Sequence, residues 1–374
     1  MGVKERSVKE IREKYKRRIC LRRGMKKELQ GKKVKISQGV IIGIIICGIV
    51  LFVLFSQEKV PEQPIVEHVN ISIPIPEPVV VVPEEWVYIP DSFNNRIQYF
   101  ELDGTFVGKF GGRWEDETNL KIPTDVVVVG DELFVLDKGN SMIKIFNRTG
   151  AFKRDFGGKG KGGGSLLYPH GFDMSNDKVI VADTSNNRIA VFTREGSFVT
   201  NFGSRGYGPG QFRKPSDVAV ENGMIYVADT DNQRIQKFDL SGNFITKWGT
   251  LTREEHGFRF PYGITVFNDT VYVSDTQNHR IKVYDTNGTL LSLFGEYGKD
   301  ALEFKFESKM WVINETLYIA DTFNHRVKAY TPNGTFLFTF GSKGRGPGQF
   351  NVPGSKRFFG EGIIGSTNTT NTSA

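Results

Sequence analysis

The stretch Asp229-Thr-Asp-Asn-Gln-Arg-Ile-Gln-Lys-Phe238 has relatives that begin at Asp91, Asp137, Asp183, Asp275 and Asp321, and each start lies 46 residues after the one before. Six tandem units in one register restrict the chain to a repeat architecture. Within a unit the order is constant. Pro215-Ser-Asp-Val-Ala-Val, Met224-Ile-Tyr-Val-Ala, Arg234-Ile-Gln-Lys-Phe and Asn243-Phe-Ile-Thr-Lys-Trp are four short runs of Val, Ile, Tyr and Phe. Apolar and polar residues alternate in each run and Gly, Asn, Asp or Pro bounds it, which reads as half-buried antiparallel strands, here called a, b, c and d. A four-stranded sheet at this period, with no helical pattern between units, fits a propeller blade rather than a helical solenoid. An aromatic-Gly pair closes strand d in every unit (Phe110, Phe156, Phe202, Trp248, Phe294 and Phe340), supplying bulk for blade-on-blade packing followed by a turn.

The motif Asp-x-x-Asn-x-Arg-Ile, an apolar strand, Phe-Gly and then Gly-x-Gly-Pro-Gly-Gln-Phe (Gly206–Phe212 and Gly344–Phe350) resembles the NHL repeat propellers over residues 79–353. That resemblance implies an all-β, six-bladed β-propeller of four-stranded antiparallel blades. Two units depart from the pattern. The second carries Met142 where the others have Arg96, Arg188, Arg234, Arg280 and Arg326, and the sixth carries Glu307 where Pro123, Pro169, Pro215 and Pro261 open strand a. The repeated Asp and Arg residues are expected to be scaffold that closes the b–c turn, since one active site needs distinct residues in distinct roles.

The net charge of +7 is unevenly spread: residues 1–38 hold 15 Lys/Arg against Glu5, Glu10, Glu13 and Glu28, or 15 − 4 = +11, which leaves 7 − 11 = −4 for the rest. The basic segment precedes an uncharged apolar run, Val40–Phe55, so residues 39–56 are expected to form a transmembrane helix, an uncleaved signal anchor. By the same charge asymmetry residues 1–38 would be a cytoplasmic tail and the propeller extracellular, carried on a Pro-rich stalk at 57–78. Residues 354–374 read as a disordered Asn/Thr-rich tail. Nucleic acid is set aside as a partner for the basic tail. Asn-x-Ser/Thr sites at Asn70, Asn147, Asn268, Asn287, Asn314, Asn333, Asn368 and Asn371 all follow the apolar run and suggest a glycoprotein. Either end of the chain is able to complete blade one.

Candidate site residues fall in two groups on one face of the ring. Arg113, Lys159, Lys161, Arg205, Lys299, Lys343 and Arg345 sit in Gly-rich d–a loops and would form a basic, mobile rim. Strand a lines the channel, and its mouth holds Thr124, His170, Ser216, Tyr262 and Ser308, followed by Asp125, Gly171, Asp217, Gly263 and Lys309. These differ from blade to blade, as a site on a repeat scaffold should. Asp125 and Asp217 are of the type that ligates a hard cation, with ordered water as the competing reading. Some NHL propellers are amidating lyases that hold zinc with histidines from several blades, and Pro169-His170-Gly resembles one such position. The other inner strands carry no matching His, and His279 and His325 read as exposed turn residues. No cofactor is implied. The expectation is therefore a membrane-anchored extracellular module that is not an enzyme and binds a protein, a glycan or an anionic envelope polymer. The alternative is a propeller enzyme of lyase or lactone hydrolase type, with a channel-mouth site and possible metal dependence.

Overall fold

The computed structural model describes residues 85–112, 119–175 and 177–354. Blades two to six are four-stranded antiparallel sheets in the order a-b-c-d. Blade two comprises Pro123–Val129, Glu132–Asp137, Met142–Asn147 and Phe152–Gly157. Blade three comprises Phe172–Ser175, Lys178–Asp183, Arg188–Thr193 and Phe198–Phe202. Blade four comprises Pro215–Glu221, Met224–Asp229, Arg234–Asp239 and Phe244–Trp248, and blade five Pro261–Phe267, Thr270–Asp275, Arg280–Asp285 and Leu290–Phe294. Blade six comprises Glu307–Ile313, Thr316–Asp321, Arg326–Tyr330 and Phe336–Phe340. Strands b, c and d of blade one are Val87–Asp91, Arg96–Phe100 and Phe106–Phe110.

The C-terminal end meets blade one at the place of its strand a. Pro353 bridges Asp91, and the Gly354 amide donates to the Pro90 carbonyl. Six apolar cores, one between each pair of neighbouring blades, then run round the ring. The core that joins the last blade to the first packs Tyr318, Val327 and Ala329 against Val87, Ile89 and Phe100, with Phe350 between them. The strand-d aromatics do the packing expected of them: a Cβ on Gly150 in the c–d turn of blade two would meet Phe110 of blade one at 2.3 Å, and Gly104 of blade one stands in the same way on Phe340 of blade six.

The Asp-x-x-Asn-x-Arg motif does more than close the b–c turn. Asp229 Oδ1 accepts the amide of Arg213, its Oδ2 accepts Asn232 Nδ2 and Arg234 Nε, and the Arg234 guanidinium donates to the carbonyls of Tyr207, Gly208 and Gln211. The buried carboxylate and the arginine thus fasten the d–a loop to its blade. Three of these loops also contain short parallel pairings, Ser204–Arg205 with Gln211–Phe212, Glu296–Tyr297 with Glu303–Phe304, and Ser342–Lys343 with Gln349–Phe350. The rim is held by backbone hydrogen bonds, where the glycine content had suggested mobility.

Among the described residues no helix is long and apolar enough to cross a membrane. The tail, the span, the stalk, Arg113 and the residues after Gly354 lie outside them.

Glu307, in the position of a strand-opening proline, is fully buried, and neither carboxyl oxygen has a hydrogen-bond partner. Burial, reinforced by Asp275 and Asp321, holds its pKa well above the ordinary glutamate value. A raised folded pKa means that the acid is neutral in the fold, so its contribution is fully present below the unfolded pKa and fades as pH rises above it. Glu307→Gln is expected to be more stable than wild type from about pH 5 upward, by on the order of 1 kcal/mol per pH unit over the first units, in urea melts across pH. A constant difference across pH would refute a neutral carboxyl. Phe350→Ala is expected to cost about 3–5 kcal/mol in the same assay, because it opens the core that closes the ring; a loss below about 1 kcal/mol would show that the C-terminal segment does not carry the closure.

Candidate functional site

Inner strands splay around the channel, so their backbones do not pair with one another across a blade junction, and side chains bridge the gap. Asp125 Oδ1 accepts the amide of Val126 while its Oδ2 accepts that of Phe172 in the next blade. Asp217 binds the amides of Val218 and Ile264 in the same way, and Asp173 those of Met174 and Val220. Hydroxyls do likewise one step earlier, where Ser216 donates to the Tyr262 carbonyl and Ser308 to that of Gly354.

The channel side chains follow an alternation with two blades per period. Even blades place a small hydroxyl and then a charge (Thr124-Asp125, Ser216-Asp217, Ser308-Lys309), while blades three and five place a ring and then glycine (His170-Gly171, Tyr262-Gly263). Blades two, four and six therefore bring their charges together at one level. Lys309 Nζ lies 2.6 Å from Asp125 Oδ2 and 2.5 Å from Asp217 Oδ1. Glycine in the odd blades makes room for this: a Cβ on Gly171 would stand 2.0 Å from Asp217 Oδ1, and one on Gly263 1.9 Å from the Ser308 carbonyl. At the adjoining level His170 Nε2 and the Tyr262 hydroxyl hydrogen-bond across the channel, their rings edge to face with centroids 4.5 Å apart. Trp311 Nε1 points to Asp125 Oδ1 at 3.4 Å.

Electrostatics set the protonation of this cluster. Burial pushes the Asp217 carboxyl up to about 7, against the pull of Lys309 and with the push of Asp125. It raises Asp125 too, again opposed by Lys309, and takes Asp173 to about 6. Burial works against the charge on Lys309, yet the two carboxylates outweigh it and the ammonium is held above its ordinary value. The triad places the Lys309 ammonium between two buried carboxyls, both of which burial raises. Accessibility divides the cluster: His170, Tyr262 and Lys309 are 5, 6 and 7% exposed, while Asp125 and Asp217 are 1% exposed.

The structure thus gathers five of the expected candidates, His170, Asp125, Asp217, Tyr262 and Lys309, into one site. The position where Asp125 and Asp217 would ligate a cation is taken by the ammonium of Lys309, and among the described residues no group of three His, Cys, Asp or Glu is placed to hold a metal ion. Lys159, Arg205, Lys343 and Arg345 stand apart from it as exposed loop residues. His279 and His325 are not exposed turn residues. Each is half-buried, closes its b–c turn in the left-handed conformation and accepts at Nδ1 the amide of Phe306 or Val352 in the next blade. Burial lowers both of their pKa values, which suits a neutral acceptor. Asn95, Ser141, Asn187 and Gln233 accept at the four other junctions, a role visible in the sequence only as one polar residue preceding strand c in every unit.

A family model described as a 6-bladed beta-propeller matches residues 114–176 and 169–248, and one described as NHL repeat matches residues 258–284. No curated protein has significant sequence similarity to the chain. Among solved structures, a streptogramin B lyase is 13% identical with a TM-score of 0.50, covering 68% of this chain and 79% of that one. Virginiamycin B lyase from Staphylococcus aureus is 16% identical with a TM-score of 0.49, over 68% and 80%. A functionally unknown protein from Desulfotomaculum acetoxidans is 13% identical with a TM-score of 0.46, over 70% and 80%. The expectation that the chain is not an enzyme does not stand, because the fold it adopts is one that lyases use.

Removing one member of the triad tests its energetics. Lys309→Met leaves two buried carboxylates without their counter-ion and is expected to cost about 3–5 kcal/mol. The triple variant Asp125→Asn/Asp217→Asn/Lys309→Met, which removes every charge and keeps one of the two acceptor oxygens at each aspartate position, is expected to recover part of that loss in urea melts. A triple variant no better than the single one would show that the three charges are not coupled. The described residues build a six-bladed β-propeller of the NHL type, a fold common to NHL-repeat modules and propeller lyases.

Proposed function

We propose that this protein is a propeller enzyme that opens an ester or lactone by general acid–base catalysis at the channel mouth, with a lysine in the place of a metal ion. The observation that carries the reading is the two-level cluster, in which the His170–Tyr262 pair adjoins Lys309 and two carboxylates hold that lysine charged. The three side chains with residual exposure are the ones that would meet substrate. His170 Nε2 takes the proton from water as it adds to the carbonyl carbon and the acyl C–O bond breaks, or, in elimination, from the carbon adjacent to the one bearing the leaving oxygen as a C=C bond forms and that C–O bond breaks; the Lys309 ammonium offsets the charge that develops on the carbonyl oxygen. The Tyr262 hydroxyl returns a proton to the leaving oxygen. Asp125 and Asp217 act through Lys309 and are positioning residues.

Full-length protein assayed on a panel of cyclic and open-chain esters by acid release, with ultraviolet absorbance to detect an elimination product, is expected to turn over at least one class. His170→Asn and Tyr262→Phe, which preserve packing, are each expected to lower kcat/KM by at least about 10²-fold, and chelator is expected to leave the rate unchanged. The pH profile should break near 7, where Asp217 loses its proton; since its folded pKa is raised, the stability it contributes is present at low pH and is lost as pH rises through that value. Unimpaired turnover in both variants would sink the assignment, and loss of activity in chelator would replace Lys309 by a metal ion in the mechanism.

A further inference from the structure

The loops that lead into blades three and four carry a surface feature that the channel chemistry does not use. Lys159, Lys161, Arg205 and Lys214 are exposed there, and none of the first three forms an ion pair among the described residues. The one acid facing them in an ion pair is Asp231, 3.8 Å from Lys214. Each of the two loops also presents a phenol ring beside a cation. Lys159 Nζ stands 5.7 Å from the centre of the Tyr168 ring, and the Arg213 guanidinium 5.0 Å from that of Tyr207. Arg213 Nη1 also donates to the Tyr207 hydroxyl at 2.9 Å, which fixes a side chain that is 70% exposed. The loops into blades five and six, by contrast, mix the signs, exposing Arg253 and Lys299 beside Glu254, Glu255, Glu296 and Asp300 on the same face. The face is therefore basic over blades three and four and mixed in sign over five and six.

A scatter of solubilising charge mixes the signs, as it does over blades five and six. Over blades three and four the same arrangement, an exposed ring backed by a cation with further cations beside it, occurs on two neighbouring loops one blade apart, and both loops are fastened by the arginine clamps of their blades. That is a pre-ordered surface for a ligand that repeats a ring face and an anionic group along its length, since little ordering entropy opposes binding to it. Of such ligands an acidic polysaccharide fits best: the patch offers ammonium, guanidinium and hydroxyl donors to an oxygen-rich chain, and two exposed phenols for sugar faces. We propose that the face over blades three and four binds an anionic, uronate-type glycan through Lys159, Lys161, Arg205 and Tyr207, independently of the channel chemistry.

The test is fluorescence anisotropy of labelled alginate oligosaccharides with the full-length chain at several salt concentrations. Saturable binding that weakens steeply with salt is expected. Lys159→Glu/Lys161→Glu/Arg205→Glu should lower affinity at least tenfold and Tyr207→Ala severalfold, with Glu254→Lys/Glu255→Lys, on the opposite arc, no weaker than wild type. Thermal melts of each variant within a few degrees of wild type would assign the losses to the surface. Absence of saturable binding, equal loss from the two arcs, or full affinity in Tyr207→Ala would overturn the proposal. So would tighter capture of oligo-dT, polyphosphate or polyglutamate than of alginate, which would assign the patch to another polyanion.

Discussion

In a ring of blades the inner edge of every strand a faces a channel, and its backbone amides have no neighbouring strand to bond. Leaving such groups unpaired out of water costs about 1–3 kcal/mol each, so the channel must be lined by side chains that accept. Carboxylates do this best, since one oxygen serves the residue's own strand and the other the next blade, as in Asp125, Asp173 and Asp217. Three acids in a narrow, poorly hydrated space then repel one another and resist ionisation. Lys309 answers that repulsion. The charged cluster that makes a chemical reading possible is thus rooted in the backbone bonding of the ring.

The mouth is stiffened by a second set of junction bonds. Before each strand a, one residue sits at positive φ without being glycine (Ile122, Tyr168, Lys214, Phe260, Phe306 and Val352), and it donates its amide to another left-handed residue in the b–c turn of the preceding blade. For the β-branched Ile122 and Val352 this conformation is costly in itself, and it persists because the repeated bond over-determines it. Strand a therefore enters the channel at a fixed angle in every blade. That common entry is what lets His170 and Tyr262 meet across the channel from blades three and five.

The fold was legible because a period of 46 residues repeats every strand, turn and clamp in register, and six weak signals in phase amount to one strong signal. The site was legible only as a list of mouth residues. The pairs Thr-Asp, His-Gly, Ser-Asp, Tyr-Gly and Ser-Lys alternate in plain view, and the alternation marks which blades send charges inward, but partnership across a ring joins residues far apart in the chain. Lys309 pairs with carboxylates two and four blades before it. His279 and His325 misled because a histidine at a turn looks solvent-facing; their function appears only when the amide of the following blade is placed beside Nδ1. The closing of blade one was open for a similar reason: residues 79–82 and 348–353 both read as a strand lead-in, and only the placement of Gly354 beside Pro90 brings the C-terminal end to strand b at the mouth, while residues 79–82 lie outside the described residues.

The sixth blade departs from its siblings twice within three residues. Glu307 replaces a proline and Lys309 occupies the place that holds Asp or Gly in blades two to five. An ionised glutamate at position 307 would add a further buried negative charge near Asp275 and Asp321. Instead burial and the nearby Asp275 and Asp321 keep Glu307 neutral, with no partner for either oxygen. Lys309 is held between Asp125 and Asp217, and it keeps slightly more exposure than either of them. A buried cation fixed by two less exposed acids, with a His–Tyr pair of similar exposure at the adjoining level, is the arrangement on which the proposed chemistry rests.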